Sequence, residues 1–224
     1  QVGKLASKMK ATTRILYLIY LGLTVLEVAI LMLDDPIPGY EDDKLFFSLL
    51  SSFGCAGTGG FGFIPGSMEL FNPFSQYVMA TFLILFGCNF SLYYLILIGK
   101  IKNVIKSEEF KSYFIIIVVA VFFVFISLVN KFQSFPQTYT TEEAFRHSFF
   151  QVASIITTTG FTTTDFNVWP MLAVTTLVLV MFTGAMAGST AGGMKISRFV
   201  ISIKGVFIKI RKLINPHYVP KARF

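Results

Sequence analysis

Residues 155–166 read IITTTGFTTTDF, six threonines and a glycine set between two long apolar stretches. A polar, glycine-bearing segment is costly there unless its backbone has a purpose. Around it the chain is 54% hydrophobic and 14% charged, with a mean hydropathy of +0.68. A soluble domain carries charge on roughly a quarter of its residues. The composition therefore reads as an integral membrane protein, with the lipid bilayer as its first partner.

Four apolar runs are of membrane-spanning character: Thr13–Leu33, Pro73–Ile98, Tyr113–Val129 and a run from Trp169–Pro170 to about Phe182. A bilayer core of ~30 Å needs about 20 helical residues. The net charge of +7 is concentrated just outside these runs, at Lys4, Lys8, Lys10 and Arg14, at Lys100, Lys102 and Lys106, and in the tail from Lys195. That placement orients a membrane protein with both ends of the segment cytoplasmic. It argues against nucleic acid as a partner. Between the spans lie two apolar stretches too short to cross, Lys44–Ala56 and Glu142–Ile156, each running into a glycine-containing polar loop. A short helix that starts and finishes on one side is a re-entrant segment. Cys55 and Cys88 lack a CxxC or Cys/His partner and read as small buried apolar residues.

The two halves repeat. Gly160 and Phe161 follow Gly60 and Phe61 by 100 positions, and the same offset pairs Thr158 with Thr58, Ser148 with Ser48 and Glu143 with Asp43. An internal duplication accounts for the agreement of charge, length and glycine position. The fold class is an all-α membrane protein of tandem span, re-entrant pore helix with filter loop, and span. The units are residues 1–108, with filter 57–62, and 109–224, with filter 157–162.

Non-helical backbone at membrane depth survives only where protein buries it or where it lines a wet pathway. Thr/Gly loops expose carbonyl oxygens that can replace the hydration shell of a dehydrated cation. Thr140 and Glu143 form a capping box for the second short helix, and Asp42 and Asp43 place acids at the start of the first. The negative helix ends then point at the loops. Gly60 and Gly160 supply the unusual backbone that inward carbonyls require, the alternative being ordinary turn glycines.

SSFGCAGTGGFGF (51–63), LFGCNFSLYY (85–94), TTTGFTTTDFNVWP (157–170) and AGSTAGGMKISR (187–198) resemble the Trk/Ktr potassium-uptake family, nearest its TrkH branch. The resemblance covers essentially the whole chain. It implies four consecutive pore units around a central pathway, of which this sequence matches the second and third. A chain beginning at Gln1 then reads as a piece of a longer ion-conducting subunit. The filter strands implied are Thr58, Gly59, Gly60 and Phe61, and Thr157, Thr158, Thr159, Gly160 and Phe161. The transported ion, K+, would meet the backbone of Thr58, Gly59, Thr158 and Thr159, with no covalently bound cofactor. GAMAGSTAGG, residues 184–193, matches the family's intramembrane gate, with Gly184, Gly188, Ser189, Thr190, Gly192 and Gly193. The resemblance also implies missing pore units of the same chain, a homodimer, a cytoplasmic nucleotide-binding regulatory ring docked on the basic tail, and a bacterial inner membrane location.

Physical chemistry bears on the gate as well. Glycine weakens a helix by about 1 kcal/mol relative to alanine, and Ser189 and Thr190 can satisfy freed backbone groups. Gly184 and Gly188 also form GxxxG, a helix-packing motif. A phosphate loop is excluded, because Met194 separates Gly193 from Lys195. Glu27, inside the first span, is expected to face protein and to pair with a backbone donor or with a cation in a missing unit. Glu69 and Asp165 are either mouth charges or solvated loop acids. Trp169 reads as an interfacial anchor, and His147 as a packing or hydrogen-bonding residue in preference to a ligand. Nothing points to an enzyme. The other open functions are a sodium-permeable or sodium-coupled transporter and a non-conducting assembly protein.

Overall fold

A computed structural model describes residues 2–129 and 139–215 of the chain, with side chains described from residue 12 onward. Nine α-helices lie in these stretches: α1 (Val2–Leu31), α2 (Lys44–Ala56), α3 (Pro73–Phe86), α4 (Phe90–Leu97), α5 (Ile101–Lys106), α6 (Glu108–Val129), α7 (Thr141–Ile156), α8 (Met171–Phe182) and α9 (Ile196–Ile214). Among the described residues there is no β-strand, only one isolated parallel bridge between Thr183 and Met194. The all-helical expectation stands. Thr12–Leu31 and Glu108–Val129 are long and apolar enough to cross a bilayer.

The expected single span from Pro73 to Ile98 is instead two helices, α3 and α4, meeting at 91°. The break falls on Gly87, Cys88 and Asn89. A Cβ on Gly87 would lie 2.2 Å from the Tyr113 hydroxyl, which donates to the carbonyl of Ile84 at 3.1 Å. Only glycine lets α6 approach so closely. Asn89 then restarts the helix, its Oδ1 accepting from the Ser91 N–H at 2.8 Å.

The short helices α2 and α7 lie inside the bundle. α2 packs on α1 and α3, and α7 on α6 and α8. The α3–α7 contact joins the first half of the chain to the second. Cys55 and Cys88 are free and buried. One expectation fails here. Trp169 is buried in the core at 4% exposure, not displayed at an interface. Glu27 is fully buried within its own half, facing the Cys55 thiol across the α1–α2 contact without a hydrogen bond of normal geometry. It faces protein as expected, and among the described residues its carboxylate has no backbone donor. The basic tail beyond residue 215 lies outside the described residues.

Candidate functional site

Both short helices end in the same way. After α2, Gly57 N–H donates to Phe53 at 2.9 Å, Thr58 to Cys55 at 3.2 Å and Gly59 to Gly54 at 3.0 Å. After α7, Thr157 donates to Ala153 at 3.3 Å, Thr158 to Ile155 at 2.9 Å and Thr159 to Ser154 at 2.9 Å. The three bonds correspond one for one at the 100-residue offset. They tighten the last helical turn and turn the chain out of the helix axis.

Beyond that point the backbone turns left-handed twice. Gly60 and Gly160 have φ of +64° and +91°. Thr58 and Thr158 do so as well, at +48° and +57°. A β-branched residue there is strained by about 1–3 kcal/mol. Sequence reasoning missed this, because threonine gives no local warning of positive φ. The positive φ values recur at matched positions of the two loops. Among the described residues, the carbonyls of Thr58, Gly59, Thr158 and Thr159 accept no hydrogen bond.

The two loops meet. A Cβ on Gly60 would stand 1.8 Å from the Thr159 carbonyl oxygen. The Phe161 ring is buried against α2, where a Cβ on Gly54 would lie 2.4 Å from its Cζ. The corresponding Phe61 is 82% exposed. Ser154 fastens the second loop, donating to the Phe161 carbonyl at 2.7 Å and accepting from Gly160 N–H at 3.1 Å.

Residues 183–195 form a loop between α8 and α9. Gly184 N–H donates to Met194 at 2.8 Å and Ile196 N–H to Ala185 at 3.2 Å, which closes its neck. A Cβ on Gly184 would meet the Gly192 carbonyl at 2.6 Å. Gly184 and Gly188 stand outside any helix, so they are not a helix-packing GxxxG pair. Gly188 and Gly193 have φ of +72° and +71°. Ser189 Oγ donates to Met186 at 2.7 Å and Thr190 Oγ1 to Phe86 at 3.4 Å.

This loop is bonded to both polar loops. Gly192 N–H donates to Thr158 Oγ1 at 2.7 Å, and the Thr58 hydroxyl, which donates at 2.8 Å to the Gly57 carbonyl, also lies 3.2 Å from the Thr190 carbonyl. It also fills the α3–α4 break, through Met186 N–H to Gly87 at 3.1 Å and Phe90 N–H to Gly188 at 3.2 Å. Glu109, at the start of α6, accepts from Ala187 N–H at 2.7 Å. An acid in a first helical turn reads as a dipole partner, so the sequence alone gives no sign of this role.

At the other end of the two loops lies a polar cavity of about 650 Å³, lined in part by Glu69, Gln76, Glu143, Arg146, His147 and Thr163. His147 Nδ1 lies 2.8 Å from Thr163 Oγ1, within hydrogen-bonding reach. Glu69 faces this cavity, whereas Asp165 caps a short turn by accepting from Asn167 N–H at 3.0 Å. The Thr140–Glu143 capping box is formed, and the Thr140 backbone and hydroxyl donors hold the Glu143 carboxyl below the usual carboxylate range. Among the described residues no cluster of His, Cys, Asp and Glu could hold a metal ion.

The sequence profile of the family described as "TrkH: Cation transport protein" matches residues 2–224. The chain belongs to that family. The Trk system potassium uptake protein TrkH of Vibrio parahaemolyticus serotype O3:K6 (strain RIMD 2210633) is 32% identical over 220 residues, which are 96% of this chain and 43% of that protein. TrkH of Escherichia coli (strain K12) is 29% identical over 220 residues, 97% of this chain and 43% of that one. The crystal structure of the potassium transporter TrkH from Vibrio parahaemolyticus superposes with a TM-score of 0.84 at 29% identity, over 96% of this chain and 45% of its own. The chain thus spans less than half the length of these TrkH relatives.

Proposed function

We propose that this chain supplies two of four pore units of a potassium-uptake subunit, with residues 57–62 and 157–162 as filter strands. The observation that carries this reading is the matched pair of left-handed loops with free carbonyls, meeting at Gly60 and Thr159. Oriented oxygens of this kind replace the water around a dehydrated cation. A scaffold protein has no use for strained threonines and unpartnered carbonyls at matched positions. The names of the TrkH relatives support potassium as the ion.

Phe61 and Phe161 support one of the two further units. Phe161 is covered by the pore helix of the preceding unit, at Gly54, while its counterpart Phe61 lies bare. Phe61 fits a pore helix of a unit that precedes α1. We assign residues 183–195 as the gate, because they sit against the inner threonine of each strand. The homodimer and the nucleotide-binding regulatory ring come with the resemblance. We place the ring's docking surface on α9, whose Arg198, Lys209, Arg211 and Lys212 are exposed. Both ends of the segment are then cytoplasmic, in a bacterial inner membrane.

The test is cation flux through the full-length protein in proteoliposomes, with K+ and Na+ in competition. Potassium-selective flux supports the reading. Equal sodium flux would favour the sodium-permeable alternative, and absence of flux in a correctly inserted protein would leave only a scaffold.

A further inference from the structure

Gln76 and Arg146 lie 70 positions apart, on α3 and α7, and meet at the wall of the polar cavity. Gln76 is 1% exposed and Arg146 is 8% exposed. A guanidinium taken out of water is costly unless its donors are paired. Here Nε donates to Glu142 Oε1 at 3.0 Å, and a terminal nitrogen donates to Gln76 Oε1. With Oε1 turned to Arg146, the Gln76 amide nitrogen must face the other way. It gives its two hydrogens to the Met68 carbonyl at 2.9 Å and the Phe71 carbonyl at 3.0 Å. Met68 N–H in turn donates to the Thr162 carbonyl at 2.8 Å, and Thr162 N–H to Ser67 Oγ at 3.3 Å.

An unbroken chain of bonds therefore runs from the pore helix α7 through Arg146 and Gln76 to the segment leaving the first filter. From there it crosses to the segment leaving the second. We propose that Arg146 and Gln76 are positioning residues for ion discrimination, fixing the outer ends of the two filter strands relative to each other. The proposal rests on the filter reading above. Arginine suits the place because its planar fork serves Glu142 and Gln76 at once. A lysine ammonium is a point charge on a flexible stem and holds no such geometry.

The test uses the full-length protein in proteoliposomes and reads the K+ to Na+ permeability ratio, which does not depend on how much protein inserts. Gln76→Glu is close to isosteric and keeps an acceptor for Arg146, but removes both donors to the loop carbonyls. Arg146→Lys keeps the charge and loses the fork. Each is expected to lower the ratio about tenfold, Gln76→Glu through two lost neutral hydrogen bonds and Arg146→Lys through a lost charge-assisted one. The double variant should fall little further than the worse single one, because the residues act in one chain. A purely structural brace would lower the amount of inserted protein and leave the ratio alone. An unchanged ratio in Gln76→Glu, or losses that multiply in the double variant, overturns the proposal. Gly160→Ala, measured alongside, separates the two levels: if it too leaves the ratio unchanged, the filter reading itself falls.

Discussion

Gly60 and Gly160 occupy equivalent positions but should not tolerate alanine equally. At Gly160 no atom lies within 4 Å of an added Cβ, so the cost of alanine is the left-handed backbone alone. That is roughly 1–2 kcal/mol, or about a 5- to 30-fold shift in the population of the native strand. At Gly60 the same backbone cost applies, and the Cβ would also lie 1.8 Å from the Thr159 oxygen. Ordinary contact needs a separation of more than 3 Å, so one strand has to move by about an ångström. Neither strand can do so and keep its carbonyls in place. Gly160→Ala should therefore retain potassium flux with reduced K+ over Na+ discrimination. Gly60→Ala should lose discrimination altogether. The assay is competitive cation flux in proteoliposomes, with insertion checked separately. A Gly60→Ala protein that discriminates as well as Gly160→Ala would refute the close approach of the two strands.

Three other outcomes are expected. Gly184→Ala places a Cβ 2.6 Å from the Gly192 carbonyl, opening the neck of the 183–195 loop and raising basal flux; unchanged flux would remove that loop from gating. Glu109→Ala frees the Ala187 N–H and should also raise basal flux, by several-fold for a loss of about 1 kcal/mol at a partly exposed site. Potassium selectivity should remain intact, and lowered selectivity in Glu109→Ala would mean that the filter was disturbed instead. Thr140→Ala removes the cap of α7 and should destabilise by about 1 kcal/mol in thermal unfolding. Because the Glu143 carboxyl is held below its ordinary range, its contribution is present above the unfolded-state pKa and fades as the pH falls through the folded-state value. The Thr140→Ala deficit should accordingly shrink in acid, and a deficit that grows there would contradict the capping role.

The sequence by itself determined whatever depends on near neighbours. Apolar run lengths marked the helices, the Thr140–Glu143 pair marked the start of α7, and glycines at a fixed offset marked where both loops leave the helical geometry. Such signals are local, because capping, helix dipoles and backbone freedom act within a few residues. The break at Gly87 was not legible, since its cause is the Tyr113 hydroxyl on another helix. Nor were the left-handed Thr58 and Thr158, whose hydroxyls meet residues 190 and 192 of a loop far along the chain. Trp169 looked like an interfacial anchor until the packing buried it. The contacts of Gly60 with Thr159, Phe161 with Gly54 and Gln76 with Arg146 join residues 70 to 107 positions apart. Only the tertiary structure decided these, because the packing of one repeat against the next determines which side chains share a dry space.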